Sequence, residues 1–246
     1  MKSEMKNTEI LKANAGNYEK LYSTNRAFLR YPADWLIRFW NMYLRDALYR
    51  GAKCLDFGCG SGNNAIFLMQ LGYNVFGVDV AKSSLGLIAQ NLVKYEAGTW
   101  ALNRFSIIEP GGRLPYKDNS FDFILSNQVL YYFPGADHLD MVCRELHRVL
   151  KPGGIVFFTM MGPKNYYITK HTKSVSKGVH DVRIEDRDHR LLGVHEMIYM
   201  IKDEDHLLES FNMFEPITTG YFDQAMFDME SNFHWIFAGR KSGAIG

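Results

Sequence analysis

In Leu55-Asp56-Phe57-Gly58-Cys59-Gly60-Ser61-Gly62-Asn63, three glycines alternate directly after a short apolar run, Ala52–Phe57. An apolar run of that length closed by glycines is the pattern of a buried strand. The stretch after it, Asn63–Leu71, has helical spacing and stops at Gly72, a good helix-ending residue. Alternating glycines permit backbone angles closed to other residues and let a ligand approach the main chain. The helix that opens there leaves unpaired N–H groups aimed at whatever binds. Outward from this turn the pattern repeats. Strands are expected at Asn74–Val80, Phe105–Ile108, Phe121–Ser126 and Ile155–Met160, and helices over 82–97 and 137–150. Such alternation predicts a parallel sheet covered by helices on both faces, with the glycine turn at its ligand-binding edge.

Two carboxylates narrow the ligand. Gly60-Ser61-Gly62-Asn63-Asn64-Ala65 matches the dinucleotide pattern G-x-G-x-x-A, which alone is weak evidence. Asp56 argues the other way, because a carboxylate just before the glycines repels a pyrophosphate and attracts a cation. S-adenosylmethionine offers an α-ammonium and carries no phosphate. Asp79, at the end of the second strand, can accept from both ribose hydroxyls, as acids in dinucleotide sites also do. A turn-capping carboxylate is the bland alternative for Asp56 alone.

Four blocks together resemble the class I S-adenosylmethionine-dependent methyltransferases: Cys54–Gly62, Gly77-Val78-Asp79, Leu114–Asp122 and Arg144–Gly154. The resemblance covers roughly residues 50–160, in order and at suitable spacing. Its most specific parts are Leu114-Pro115 with Ser120-Phe121-Asp122, and Leu150-Lys151-Pro152-Gly153-Gly154. The latter ends a helix and turns into a strand, so it counts as fold and not as site. The resemblance implies a Rossmann-like α/β fold: a seven-stranded sheet with helices on both faces and one antiparallel strand near the carboxyl end. It implies that Asp56, Gly58 and Gly60 hold the amino-acid end of the cofactor, with Gly62 completing the turn. Asp79 would hold the ribose and Val80 would lie against the adenine. Pro110 and Gly111 stand where the family commonly has an acidic and a small residue, and Glu109 is one position early. Ser126 and Asn127 would lie beside the methionine portion, followed by Gln128. Tyr18 and Tyr22 precede the first strand, where many relatives place a helix that closes over the cofactor.

The flanks carry the rest. Residues 1–50 read as a helical cap in two pieces divided near Pro32, with aromatic residues that suit a core. Residues 51–160 read as the cofactor-binding core, 161–193 as a long irregular substrate-covering insertion, and 194–246 as the C-terminal part of the same sheet domain. In that last part Val194–Ile201 and Phe233–Gly239 are expected strands and Glu204–Asn212 a helix. For methyl transfer to oxygen, His171, His180, His189 and His195 are candidate general bases. Tyr131 and Tyr132, with Tyr166 and Tyr167, are candidates to line the acceptor side. Of all these, His171 and Tyr132 are taken as the catalytic pair. No metal site is expected, since no H-E-x-x-H pattern occurs.

Composition bounds the function. Lys plus Arg number 28 against 27 Asp plus Glu in 246 residues, so no overall field draws nucleic acid or an anionic membrane. Cys54, Cys59 and Cys143 make neither a CxxC pair nor an even disulfide framework, and suit a reducing compartment. The polar start lacks an apolar targeting region, and no stretch approaches a spanning helix, so a cytoplasmic protein is expected. The expected activity is methylation of an O or N atom of a small molecule, in secondary metabolism or surface-sugar biosynthesis. The alternatives are an RNA or protein methyltransferase, kept open by the basic stretch Lys164–Lys177, and a cofactor-binding relative without turnover. Oligomeric state is not legible.

Overall fold

Among the described residues two α-helices, α1 (Lys2–Ser23) and α2 (Asp34–Phe39), and a π-helical turn at Trp40–Leu44 precede the first strand, with the irregular segment 24–33 between α1 and α2. The computed structural model describes residues 2–96, 98–185, 193, 195–225 and 230–243. The glycine turn joins β1 (Lys53–Phe57) to α3 (Asn63–Gln70), and β2 (Asn74–Asp79), α4 (Ser84–Lys94) and β3 (Phe105–Ile107) follow. Next come β4 (Phe121–Ser126), α5 (Ala136–Val149) and β5 (Leu150–Met161). The chain then forms α6 (Tyr166–Lys170), β6 (Thr172–Ser176), β7 (Val179–Arg183), β8 (His195–Tyr199) and α7 (Glu204–Ser210), and ends with β9 (Glu215–Phe222) and β10 (His234–Arg240).

The main sheet has seven strands in the order β3-β2-β1-β4-β5-β10-β9. The strands β3, β2, β1, β4 and β5 pair in parallel, and β10 runs antiparallel to both β5 and β9. Strand order reverses between β1 and β4, so the glycine turn opens at the crevice where open α/β sheets bind ligands. Apolar side chains pack on both faces: Leu55, Ile124, Val156 and Phe158 belong to one core, Cys54, Val75, Phe123 and Phe157 to the other. Alternate residues of one strand supply the two cores, as the pleat requires.

Three expectations are corrected. β5 begins at Leu150, five residues before Ile155. Its Lys-Pro-Gly-Gly entrance is drawn into the sheet because Gly153 N–H donates to the Lys241 carbonyl at 2.8 Å and Lys241 N–H to the Gly154 carbonyl at 2.9 Å. β9 was not foreseen: Glu215-Pro216-Ile217-Thr218-Thr219-Gly220 contains a proline and a glycine, which an edge strand tolerates and a central one does not. The stretch 161–193 is not irregular throughout. Asn165 Oδ1 caps α6 by accepting from Tyr167 N–H at 3.0 Å, and β6 and β7 form a hairpin turned at Lys177-Gly178, with Gly178 at φ +74°. β8 pairs with β7 in a three-stranded antiparallel sheet, β6-β7-β8, and not with the main sheet. β6 is exposed on most positions, so its sequence shows no apolar alternation. His189 lies outside the described residues.

Candidate active site

The glycine turn is held from below by main-chain bonds. Gly58 and Cys59 N–H both donate to the Val78 carbonyl, at 2.8 and 3.0 Å, and Gly62 N–H to the Cys59 carbonyl at 2.8 Å. Gly60 takes φ +53°, and a Cβ there would stand 2.6 Å from the Tyr22 hydroxyl oxygen. The Asp79 carboxylate organises the same turn: Oδ2 accepts from Gly60 N–H at 2.8 Å and Oδ1 from Ala81 N–H at 2.9 Å. Each oxygen retains capacity for a second donor. Asp56, 1% exposed, has Oδ2 without a hydrogen-bond partner. Burial, and then the neighbouring Asp79, push its carboxyl up to about 7. Two buried carboxyls in one turn favour a ligand that brings hydrogen-bond donors or positive charge.

A cavity of about 370 Å³ opens beyond the turn. Gly58, Gly60, Asp79, Val80, Pro110 and Gly111 line it, as do Asn127, Tyr18 and Tyr132. The structure therefore brings these nine sequence-nominated residues to one cavity, together with Tyr22, Gln128, Tyr131 and Tyr167. Asp56, Gly62 and Ser126 are not on its wall and stand behind it; Ser126 is fully buried with its hydroxyl unpartnered. His171 is not on the wall either: its ring packs on Tyr166 at 4.8 Å between centroids, and its carbonyl accepts from Arg183 N–H at 2.8 Å beside the hairpin. Past β4, Gln128 adopts φ +59°, a left-handed conformation that costs about 1 kcal/mol or more for a residue with a side chain. Its N–H is held by Thr159 Oγ1 at 2.7 Å.

The roof is α1 with segment 24–33. Ser61 Oγ donates to the Leu29 carbonyl at 2.6 Å and accepts from Leu29 N–H at 3.2 Å. Asn91 Nδ2 reaches both the Leu29 and the Ser61 carbonyl at 2.9 Å, and Asn63 Nδ2 holds the Tyr31 carbonyl at 2.8 Å. Ser61 between the glycines, with Asn63 and Asn91, thus fastens the roof to the turn. At the other end, Asn14 bonds along the edge of β8: Oδ1 accepts from Met197 N–H at 3.1 Å, and Nδ2 donates to the Met197 and Tyr132 carbonyls at 3.0 Å. Glu19 accepts from the Ser83 N–H and hydroxyl at the start of α4.

Two cavity residues were missed by sequence reasoning. Glu196 of β8 is buried and accepts a hydrogen bond from Tyr132, whose hydroxyl also bonds that of Tyr18. Burial pushes Glu196 up to about 8. His234 of β10 is buried, with Nδ1–H donating to the Asn232 carbonyl at 3.1 Å. Its Nε2 has no hydrogen-bond partner, and burial pushes the ring down to about 4. The imidazole is therefore neutral near pH 7, with a lone pair on Nε2. Phe222 stacks on His234 at 4.9 Å and Trp35 on Phe222 at 3.7 Å, while Trp35 Nε1–H donates to Asn127 Oδ1 at 2.7 Å. The available signals were a lone histidine inside the apolar run Phe233–Gly239, and a glutamate in phase with Ile198 on the inward side of β8. Among the described residues, no group of three or more His, Cys, Asp or Glu side chains is placed to hold a metal ion. Among them, too, no helix is long and apolar enough to cross a membrane.

Known proteins share this architecture. A methyltransferase-domain family model matches residues 55–158. The chain is 37% identical over 120 residues to an arsenite methyltransferase of Aquipseudomonas alcaligenes, a match covering 46% of this chain and 34% of that one. Across such curated relatives the matched part spans from about a third to half of their length, 34% to 51% in the first three. An S-adenosylmethionine-dependent methyltransferase of Methanosarcina mazei superposes with a TM-score of 0.62 at 22% identity, over 82% of this chain and 98% of its own. The 1,6-didemethyltoxoflavin-N1-methyltransferase of Burkholderia thailandensis, solved with 1,6-didemethyltoxoflavin and S-adenosylhomocysteine, gives 0.62 at 18% identity over 96% and 90%. At those identities the superpositions speak for the fold.

Proposed function

We propose that this chain, whose residues 55–158 match a methyltransferase-domain family model, is a class I S-adenosylmethionine-dependent methyltransferase that methylates an oxygen or nitrogen atom of a small molecule. The observation that carries the proposal is one roofed cavity running from the glycine turn and Asp79 to Tyr132, Glu196 and His234. A covered cavity of this size suits a small acceptor better than a folded nucleic acid or protein.

The residues present fit the methyl donor. Asp79 would take the ribose hydroxyls on its remaining lone pairs, and the Gly58–Gly60 main chain would border the amino-acid end. The unpartnered Asp56 oxygen would answer the ammonium from behind the turn, through water or directly. Val80, Pro110 and Gly111 would frame the adenine, with Ile108 beside them. When bound, the sulfonium supplies an electrophilic methyl carbon. The protein's share is to hold the acceptor in line and to keep water out, and the α1 roof does the latter. The stretch 161–193 would serve as the acceptor cover, since Tyr167, Val182 and Ile184 face the cavity from it. Tyr132 would position the acceptor together with Glu196.

Calorimetry with S-adenosylhomocysteine and with NAD tests this, followed by transfer of labelled methyl onto metabolite pools. The adenosyl compound should bind and NAD should not, and Gly60→Ala should weaken binding sharply. Binding of NAD alone would overturn the proposal.

A further inference from the structure

The acceptor end of the cavity has an unbalanced set of polar groups. Glu196 offers a carboxyl, and His234 offers the lone pair of Nε2, because Nδ1–H is committed to the Asn232 carbonyl. Both groups seek donors once Glu196 is ionised. Around them stand the rings of Tyr18, Tyr131 and Tyr132, with centroids of Tyr18 and Tyr132 5.2 Å apart and of Tyr131 and Tyr132 4.5 Å apart. Tyr131 lies 5.6 Å from the His234 ring, so the tyrosines connect the two acceptors. Among the described residues the cavity wall carries a single guanidinium, Arg26, which belongs to the roof segment 24–33.

We infer that this end of the cavity is a site for a primary amine, bound by Glu196, His234 Nε2 and the tyrosine faces, and that Glu196 takes up the proton the amine must lose before methylation. A hydroxyl brings one hydrogen and can satisfy one of the two acceptors. A protonated primary amine brings three N–H donors and a charge that aromatic faces attract. The inference rests on the methyltransferase reading and narrows its acceptor to nitrogen. In the proton step one N–H bond breaks, its electron pair stays on nitrogen and the proton moves to the Glu196 carboxylate. As the new N–CH₃ bond forms, the S–CH₃ bond breaks and its electron pair remains on sulfur. The titratable groups packed against Glu196 are Tyr18 of α1 and Tyr131 and Tyr132 after β4. Its partner on β7 is Val182, with His180 two residues along on the same side. None of these supplies a cation that would hold Glu196 ionised before the amine arrives, in keeping with its raised proton affinity.

The test uses the full chain saturated with S-adenosylhomocysteine. Matched pairs are titrated by calorimetry: benzylamine with benzyl alcohol, phenethylamine with phenethyl alcohol, cyclohexylamine with cyclohexanol. In at least one pair the amine should bind roughly tenfold or more tightly than the alcohol. At pH 7 its binding should release about one proton, read from the dependence of the heat on buffer ionisation enthalpy. Glu196→Gln should abolish the preference and keep S-adenosylhomocysteine affinity within about twofold. The proton release is measured on the unaltered protein and stands even if the variant folds poorly. Equal or tighter binding of the alcohols throughout, or amine binding without proton release, overturns the inference while leaving the methyl-donor reading intact. Failure of S-adenosylhomocysteine itself to bind overturns both.

Discussion

The Tyr18 hydroxyl of α1 and the Tyr132 hydroxyl beyond β4 share a hydrogen bond, although 114 residues separate them in the chain. It joins the roof of the cavity to its acceptor wall, and Tyr132 passes the connection on to Glu196. Burial raises the proton affinity of both phenols, so the pair stays neutral. Removing either hydroxyl leaves the other buried with one partner fewer. Tyr18→Phe and Tyr132→Phe should each weaken acceptor binding, and the double variant should lose less than the sum. A coupling of about 0.5–1.5 kcal/mol is expected in that cycle. Strict additivity of the two losses would mean that the roof and the acceptor wall act separately.

Asp79 has two duties. It closes the glycine turn through Gly60 and Ala81 N–H, and it faces the cavity. Asp79→Ala should therefore cost about 1.5–3 kcal/mol of S-adenosylhomocysteine affinity and also lower the thermal midpoint. Asp79→Asn keeps one acceptor oxygen for the turn and should recover most of the midpoint and less of the affinity. Parallel titrations and melting curves separate the two duties. An Ala variant that melts like the parent shows that the turn stands without the carboxylate.

Buried carboxyls set the pH dependence. Glu196 is held at about 8 and Asp56 at about 7, against ordinary values of 4.5 and 3.8. In the window between the ordinary and the raised values the folded chain keeps protons that the unfolded chain has released. Stability therefore falls as pH rises through it. His234 acts with the opposite slope: held at about 4 against 6.5, it loses stability as pH falls through that interval. Between about pH 7.5 and 8, where the histidines that burial depresses have released their protons in both states, the carboxyls dominate, and the melting temperature of the protein without added ligand should decline. Glu196→Gln should flatten that decline. A midpoint that climbs over the same interval contradicts the assignment of buried, protonated carboxyls.

The β6–β7 hairpin can be removed to test the cover. Replacing residues 168–190 by a short Gly/Ser linker takes Val182 and Ile184 off the cavity wall and leaves β8 without its ladder partner. Binding of S-adenosylhomocysteine should persist within a few-fold, because the glycine turn, Asp79 and β2 are untouched. Methyl transfer should collapse. Tyr167→Ala, which leaves the hairpin in place, should lower transfer in the same direction and to a smaller extent. Transfer at near the original rate in the linker variant means that the roof and main sheet alone hold the acceptor.

Those outcomes divide along the line between what is local in this chain and what is not. The glycine turn, β1, β2, β4 and α5 were legible because short-range physics writes them: an apolar run for a buried strand, alternating glycines for a sharp turn, 3.6-residue spacing for a covering helix. Asp56 and Asp79 could be named because each stands at a strand end whose position the sheet pattern already implies. β9 and the β6–β7 hairpin were illegible for a physical reason. An edge strand and an exposed hairpin bury little on one side, so their residues need not alternate, and pairing with distant segments selects their conformation. The acceptor wall is of the same kind. Glu196 and His234 lie 38 residues apart on strands of different sheets, and the turn after β4 that bears Tyr131 and Tyr132 stands between them. The local pattern marks each at most as inward-facing, and it does not say that the two meet at one cavity. Only the packing of α1 and the hairpin against the main sheet takes water away from both, and that loss of water turns a carboxyl and an imidazole into a site.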